Sequence, residues 1–105
     1  MKSIETKAEY DTLLTKNMPI LLDFYADWCG PCRSLLPTVE KLSEEYKGRV
    51  IIQKVNIDKN KELAAEFKVR SIPALFFLKD STIVDLVRGV LPEKDLKEKL
   101  NALLN

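Results

Sequence analysis

The run Ile20-Leu21-Leu22-Asp23-Phe24-Tyr25-Ala26 constrains this chain more than any other. It is apolar at odd and even positions alike, broken only by Asp23. A half-exposed strand alternates, whereas a strand apolar on both faces must be covered on both. Such a strand needs helices above and below it, so the run argues for a layered α/β fold. The flanking patterns supply those helices. Before the run, Thr6-Lys7-Ala8-Glu9 has the spacing of a capping box, in which the Thr6 hydroxyl accepts from the Glu9 amide while Glu9 reaches back. Tyr10, Leu13 and Leu14 then form a helical stripe. After the run, Pro31 suits a first helical turn, and Leu35, Val39, Leu42 and Tyr46 recur on one helical face. Pro37 should kink that helix and Gly48 should stop it.

The remaining segments continue the alternation. Ile4 lies in a short first strand, and the β-branched stretch Val50–Ile57 predicts another. Asn60–Phe67 reads as a short helix with Leu63, Ala64 and Phe67 facing inward. Ala74–Leu78 reads as a buried strand, Asp80-Ser81 as a turn, and Thr82–Val87 as the hairpin partner, ended by Gly89. Pro92 opens a last helix with Leu96, Leu100 and Leu103 on one face. The order βαβαβαββα demands parallel strands with right-handed crossovers and then an antiparallel hairpin, a mixed sheet between helices. At 105 residues the chain has room for one domain, spanning residues 1–105.

Composition removes several function classes. Seventeen Lys+Arg against sixteen Asp+Glu leave +1, so no broad basic field exists to hold nucleic acid. The longest unbroken apolar run, Ala74–Leu78, is too short to span a membrane. The opening Met1-Lys2-Ser3-Ile4-Glu5 lacks an export-signal core, and the compartment is read as the cytosol. Histidine is absent, which excludes Ser/His/Asp and Cys/His catalysis. Two cysteines and no histidine fall short of a structural zinc site, which would need carboxylates or a second chain, so no metal is expected. No glycine pattern for nucleotide binding occurs, so no cofactor is expected either, and a monomer is the default.

One segment carries obvious chemistry: Trp28-Cys29-Gly30-Pro31-Cys32. Cys29 falls where the apolar strand gives way to the helix. A helix N-terminus carries unsatisfied N–H groups and about half a positive charge, and both favour a thiolate. Cys32 lies one turn deeper, at a Cα separation of roughly 5–6 Å, within disulfide range, and should be the more buried thiol. Gly30 leaves the approach to Cys29 open, and Pro31 stiffens the loop between the sulfurs. A purely structural disulfide is the plainer reading. It would close only a four-residue loop, worth about 2 kcal/mol, in a compartment that keeps thiols reduced, so redox chemistry is the stronger one. Asp23 stands six residues before Cys29 on the same strand. A carboxylate on a covered strand should have a raised pKa and could take the Cys32 proton; on an edge strand it would simply face water. Lys54, on the next strand, could moderate its charge or point to solvent.

These residues resemble the thioredoxin family over nearly the whole chain. The matching stretches are Asp23-Phe24-Tyr25-Ala26-Asp27-Trp28-Cys29-Gly30-Pro31-Cys32, Val55-Asn56-Ile57-Asp58, Ser71-Ile72-Pro73 and Gly89. The resemblance implies a five-stranded mixed sheet flanked by four helices and a cis Ile72–Pro73 bond beside the dithiol. It implies a general protein-disulfide reductase in which Cys29 attacks and Cys32 resolves. Trp28, Ile57, Ile72, Pro73, Gly89 and Val90 would contribute to the substrate surface, although ordinary core packing is an equal reading for Ile57 and Val90. The implied partners are an NADPH-dependent flavoenzyme, thioredoxin reductase, and disulfide-bearing proteins such as ribonucleotide reductase, peroxiredoxins and methionine sulfoxide reductases. Tyr25, Ser71, the glycine-free Asp80-Ser81 turn and Arg88 depart from the common pattern. Arg88 would place a positive charge on the docking rim and favour acidic partners. Two rival readings are a docking subunit whose redox state is incidental, and a dithiol oxidant or isomerase.

Overall fold

The doubly apolar run forms the strand Ile20–Tyr25 (β2) at the centre of a five-stranded sheet. A computed structural model describes all residues 1–105. The other strands are Lys2–Ser3 (β1), Ile51–Asn56 (β3), Ala74–Lys79 (β4) and Thr82–Arg88 (β5), in spatial order β1-β3-β2-β4-β5. β2 pairs in parallel with β3 and antiparallel with β4, so both its edges are hydrogen-bonded. The helices are Lys7–Leu14 (α1), Gly30–Glu45 (α2), Lys61–Glu66 (α3) and Glu93–Leu103 (α4). The expected order of elements and the four-helix, five-strand architecture are both observed.

Each face of β2 seeds its own core. Leu22 and Phe24 pack with Tyr10 and Leu13 of α1 and Leu63 of α3. Leu21 packs on the opposite face with Leu35, Val39 and Leu42 of α2 and Leu96, Leu100 and Leu103 of α4. Each fully buried aliphatic side chain contributes about 1.5–3 kcal/mol of burial free energy before the entropy of ordering is charged against it. On the first face Phe24, Phe67 and Phe76 add mutual ring contacts, with centroids 5.0–5.3 Å apart.

Local chemistry explains where elements begin and end. The Thr6 hydroxyl accepts from the Glu9 N–H at 3.1 Å, as the capping-box spacing predicts. The reciprocal bond differs: the Glu9 carboxylate takes the Glu5 N–H instead of that of Thr6. α2 runs through Pro37 as one helix of 16 residues and ends two residues before Lys47, with Gly48 just beyond at φ +84°. β1 is shorter than a strand through Ile4, but the Ile4 N–H still donates to the Lys54 carbonyl at 2.9 Å. Val84 has no partner on β4, because Leu78 faces Ile83 and Phe77 faces Asp85. Val84 is exposed at this bulge, an irregularity that the apolar pattern of the segment conceals.

The hairpin between β4 and β5 turns on two residues, with Lys79 opposite Thr82. Asp80 and Ser81 both adopt positive φ, 53° and 63°. Successive left-handed residues suit the right-handed twist of the flanking strands, the conformation that Asn-Gly and Asp-Gly normally supply. A non-glycine residue there costs roughly 1–2 kcal/mol, less for aspartate, so the strain concentrates at Ser81. Ser81→Gly should therefore raise stability by about 0.5–1 kcal/mol after the added chain entropy of glycine is subtracted. Urea unfolding should show a higher midpoint with an unchanged slope; a lower midpoint would mean that the turn is unstrained.

Candidate active site

Where β2 ends, the chain turns outward through Ala26-Asp27-Trp28 and re-enters α2 at Gly30. Cys29 is the N-cap of α2, with extended backbone angles of φ −88° and ψ 109°. Its sulfur accepts the N–H of Cys32 at 3.2 Å, the bond that a serine or aspartate oxygen makes at an ordinary helix start. The two cysteines form a disulfide, with Cα atoms 5.3 Å apart. The expected contrast in burial is slight, since Cys29 is 5% exposed and Cys32 is 4% exposed. Both pack with Ala26 and are flanked by Tyr25, Ile57 and Ile72. Cys29 is buried because its cap position faces the protein, so position along the helix does not separate the two sulfurs.

Gly30 and Pro31 are exposed, and a Cβ added at Gly30 would meet nothing within 4 Å. The approach to Cys29 is therefore open from that side. The Ile72–Pro73 peptide is cis, and the Ile72 carbonyl lies 3.9 Å from the Cys29 sulfur. Ile72 belongs to no helix or strand, and neither its N–H nor its carbonyl is engaged in a backbone hydrogen bond. Gly89, at φ +93°, donates its N–H to the Pro73 carbonyl at 2.8 Å. That bond ties the end of β5 to the loop beside the disulfide, in a conformation that glycine adopts without strain.

Asp23 is buried, 1% exposed, in register between Lys54 on β3 and Leu75 on β4. It lies on a central strand, which removes the solvent-facing alternative. It shares the face of Leu21, the face that α2 covers. One carboxylate oxygen, Oδ1, has no hydrogen-bond partner. Loss of water raises its pKa from 3.8 to about 7, and the positive charge of Lys54 opposes that shift only in part. Lys54 is half-buried and makes no ion pair with Asp23; its ammonium sits 5.5 Å above the centre of the Tyr25 ring. Lys54 is thus the cross-strand neighbour of Asp23, with its ammonium over Tyr25.

Trp28 is 67% exposed, which sets it apart from core aromatics. Its indole N–H donates to the Asp58 carboxylate at 2.9 Å. Asp58 is held in turn by buried Asn56, whose side-chain oxygen accepts the N–H groups of Asp58 and Lys59 at 2.9 and 3.3 Å. Neither role was visible in sequence: Asn before a helix signals a turn, but nothing links Asp58 to an indole thirty positions away. Ile57 and Ile72 are half-buried and touch both the core beneath β2 and the disulfide cluster. Val90 is 55% exposed, so core packing does not explain it. Ile57 and Ile72 pack against the cysteines, Trp28 adjoins Cys29 in sequence, and Pro73 is joined to Gly89 by the hydrogen bond described above; Val90 follows Gly89 in the chain. A cavity of about 670 Å³ lies elsewhere, lined by Phe77 of β4, Val84 of β5, Leu91 of the following loop and Leu103 of α4.

Comparison with known proteins agrees with this geometry. A family model described as thioredoxin matches residues 2–102. A thioredoxin of Mycoplasmoides gallisepticum is 41% identical over 100 residues, covering 95% of this chain and 99% of that protein. A thioredoxin of Pyropia yezoensis is 41% identical over 93 residues, covering 89% of this chain and 87% of that protein. Among solved structures, Fasciola hepatica thioredoxin superposes with a TM-score of 0.89 at 38% identity, covering 97% of this chain and 98% of that one. A mutant thioredoxin from Halobacterium salinarum gives a TM-score of 0.90 at 35% identity, covering 99% of this chain and 90% of that one. With matches of this extent, and a cysteine pair at disulfide distance on the start of α2, the chain belongs to the thioredoxin family of thiol–disulfide oxidoreductases.

Proposed function

We propose that the chain, residues 1–105 acting as one thioredoxin domain, is a general protein-disulfide reductase with Cys29 as the attacking sulfur. The observation that carries this reading is the Cys32 N–H directed at the Cys29 sulfur at the first turn of α2. An anion at that sulfur gains a hydrogen bond and the positive end of the helix; the neutral thiol gains less. Reduced Cys29 attacks a partner disulfide, forming a mixed disulfide and releasing one partner thiolate. Asp23 accepts the Cys32 proton, and the Cys32 thiolate attacks the Cys29 sulfur. The second partner thiolate leaves, and the Cys29–Cys32 disulfide closes. Two electrons have passed to the partner, and thioredoxin reductase, drawing on NADPH through its flavin, returns them. Lys54 keeps part of the Asp23 population ionised near neutral pH.

The free N–H and carbonyl of Ile72 support docking of an extended partner segment by strand-like pairing beside Cys29. Trp28, Ile57, Pro73 and Val90 would cover that segment, and Gly89 would hold the far side of the loop. Gly30 and Pro31 are the residues placed to tune the potential. The work of this reading is in the cytoplasm, on disulfides such as those of ribonucleotide reductase, peroxiredoxins and methionine sulfoxide reductases.

Cys32→Ser should halt the cycle at its midpoint. Incubated with a disulfide-bearing protein, the variant should accumulate a covalent adduct through Cys29 that dithiothreitol releases. If no adduct forms, or if it forms through another group, the attacking sulfur is misassigned.

Asp23→Asn keeps the shape and removes the titration. Resolution of the mixed disulfide should slow by on the order of tenfold or more near neutral pH, as loss of a general base does. The parent rate should rise with an inflection near the Asp23 pKa of about 7, and the variant should lack it. Equal rates in parent and variant would remove Asp23 from proton transfer.

The same carboxylate makes a stability prediction. A raised folded-state pKa means that the native protein holds its proton longer than the unfolded chain does. Stability should therefore fall as pH rises from about 4 through about 7, between the ordinary value of 3.8 and the folded one. Asp23→Asn should be the more stable protein above that window by up to about 4 kcal/mol, and the advantage should vanish below it. Denaturant unfolding of the oxidised proteins at acid and alkaline pH measures both limits.

A further inference from the structure

The ion pairs of this chain leave its arginines out. All five ion pairs are made by lysines, at Lys7, Lys41, Lys97 and Lys99, and all involve a residue of α1, α2, α3 or α4. None of the four arginines is paired with a carboxylate. Arg49 lies over the Tyr46 ring at the far end of α2. The other three, Arg33, Arg70 and Arg88, are exposed, and each stands on a different segment bordering the disulfide. Arg33 follows Cys32 directly, and its guanidinium donates to the Asp27 carbonyl at 3.1 Å. Arg70 lies two residues before Ile72 on the loop to the cis peptide. Arg88 ends β5 opposite Ala74, the residue after Pro73, and precedes the Gly89 that bonds the Pro73 carbonyl. The carboxylates of the same loops are Asp27 and Asp58, and Asp58 is already engaged by the Trp28 indole.

Three arginines without a carboxylate partner, on the segments next to Cys32, Ile72 and Gly89, form a recognition feature with a defined complement. Arginine presents a planar fork that takes carboxylates in pairs of parallel hydrogen bonds, and it is more weakly hydrated than lysine. We infer that the preferred partner is an extended protein segment whose disulfide cysteine is flanked by Asp or Glu. This inference rests on the reductase reading and names the substrate class of that same site. A segment paired along Ile72 advances about 3.3 Å per residue, so a carboxylate about two or three positions from the attacked cysteine comes level with Arg70 on one side. A carboxylate beyond the cysteine on the other side meets Arg88. Arg33 serves the leaving half of the partner disulfide. The exchange itself is the two-electron transfer already described, with the same bonds made and broken.

The test uses three peptide disulfides of one length that differ only in flanking residues: Glu, Gln or Lys. Reduction by the full chain is followed by stopped flow at low ionic strength. The Glu peptide should be reduced about tenfold faster than the Lys peptide in kcat/KM, with the Gln peptide between them, as a few exposed charge pairs allow. The spread should shrink in strong salt, where exposed charges are screened. Arg88→Glu should narrow or invert the order of the Glu and Lys peptides. Equal rates for the Glu and Lys peptides at low salt overturn the inference and leave the reductase reading standing. Failure to reduce any of the three, the Gln peptide included, overturns the reductase reading itself. An Arg88→Glu protein that keeps the parent's order moves the recognition off β5, against the assignment made here; should that variant not fold, the peptide series on the parent decides alone.

Discussion

A sulfur caps α2 where an oxygen would ordinarily do so, and the chemistry of the chain depends on that substitution. The first turn of any helix has N–H groups with no partner inside the helix. A serine there would satisfy the Cys32 N–H and be inert. Cys29 satisfies it with an atom that can also carry charge and form a covalent bond. One interaction thus serves both to start the helix and to activate the nucleophile. The position of that sulfur follows from β2, because a strand hydrogen-bonded along both edges and packed on both faces gives the cap a rigid base.

The same base carries a residue that opposes stability. Asp23 interrupts an otherwise apolar strand and leaves a carboxylate oxygen without a partner. A leucine at that position would pack with Leu21 and Leu75 at no electrostatic cost. Its retention makes sense where a proton must be received inside a dry site, and burial is what moves its pKa to the range where a thiol can give it one. Lys54 limits the shift from a distance, without an ion pair that would return the carboxylate to its ordinary acidity.

Much of this arrangement was legible in the sequence because it depends on periodicity. Strand and helix order follow from apolar spacing, and the boundaries found differ by a residue or two where caps decide them, as at Thr6 and Glu9. Asp23 was recognisable as an anomaly because its neighbours were all apolar. The Cys29–Cys32 spacing fixed their separation, but not their nearly equal burial, which depends on the direction in which the cap faces. The cis peptide, the Trp28–Asp58 bond and the bulge at Val84 join residues by tertiary contact or by a local choice of backbone, and neither leaves a periodic trace. The resemblance supplied the first of these three; nothing supplied the other two.

The distribution of charge follows the same division between framework and site. Lysines paired with carboxylates on exposed helical faces add little stability each, because water screens them and their long side chains lose freedom. Each such pair cancels its own charge. The end of the sheet that holds Cys29 is built from the segments at Trp28, Ile72 and Gly89, where Arg33 begins α2, Arg70 lies in a loop and Arg88 ends β5, none of them in an ion pair. A charge placed there stays available to whatever arrives, and the apolar surface of Trp28 and Val90 beside it gains contact area without deciding which partner it is. Such surface features can supply selectivity at this site. Arg33, Arg70 and Arg88 are the arginines next to Cys32, Ile72 and Gly89, and no carboxylate pairs with them.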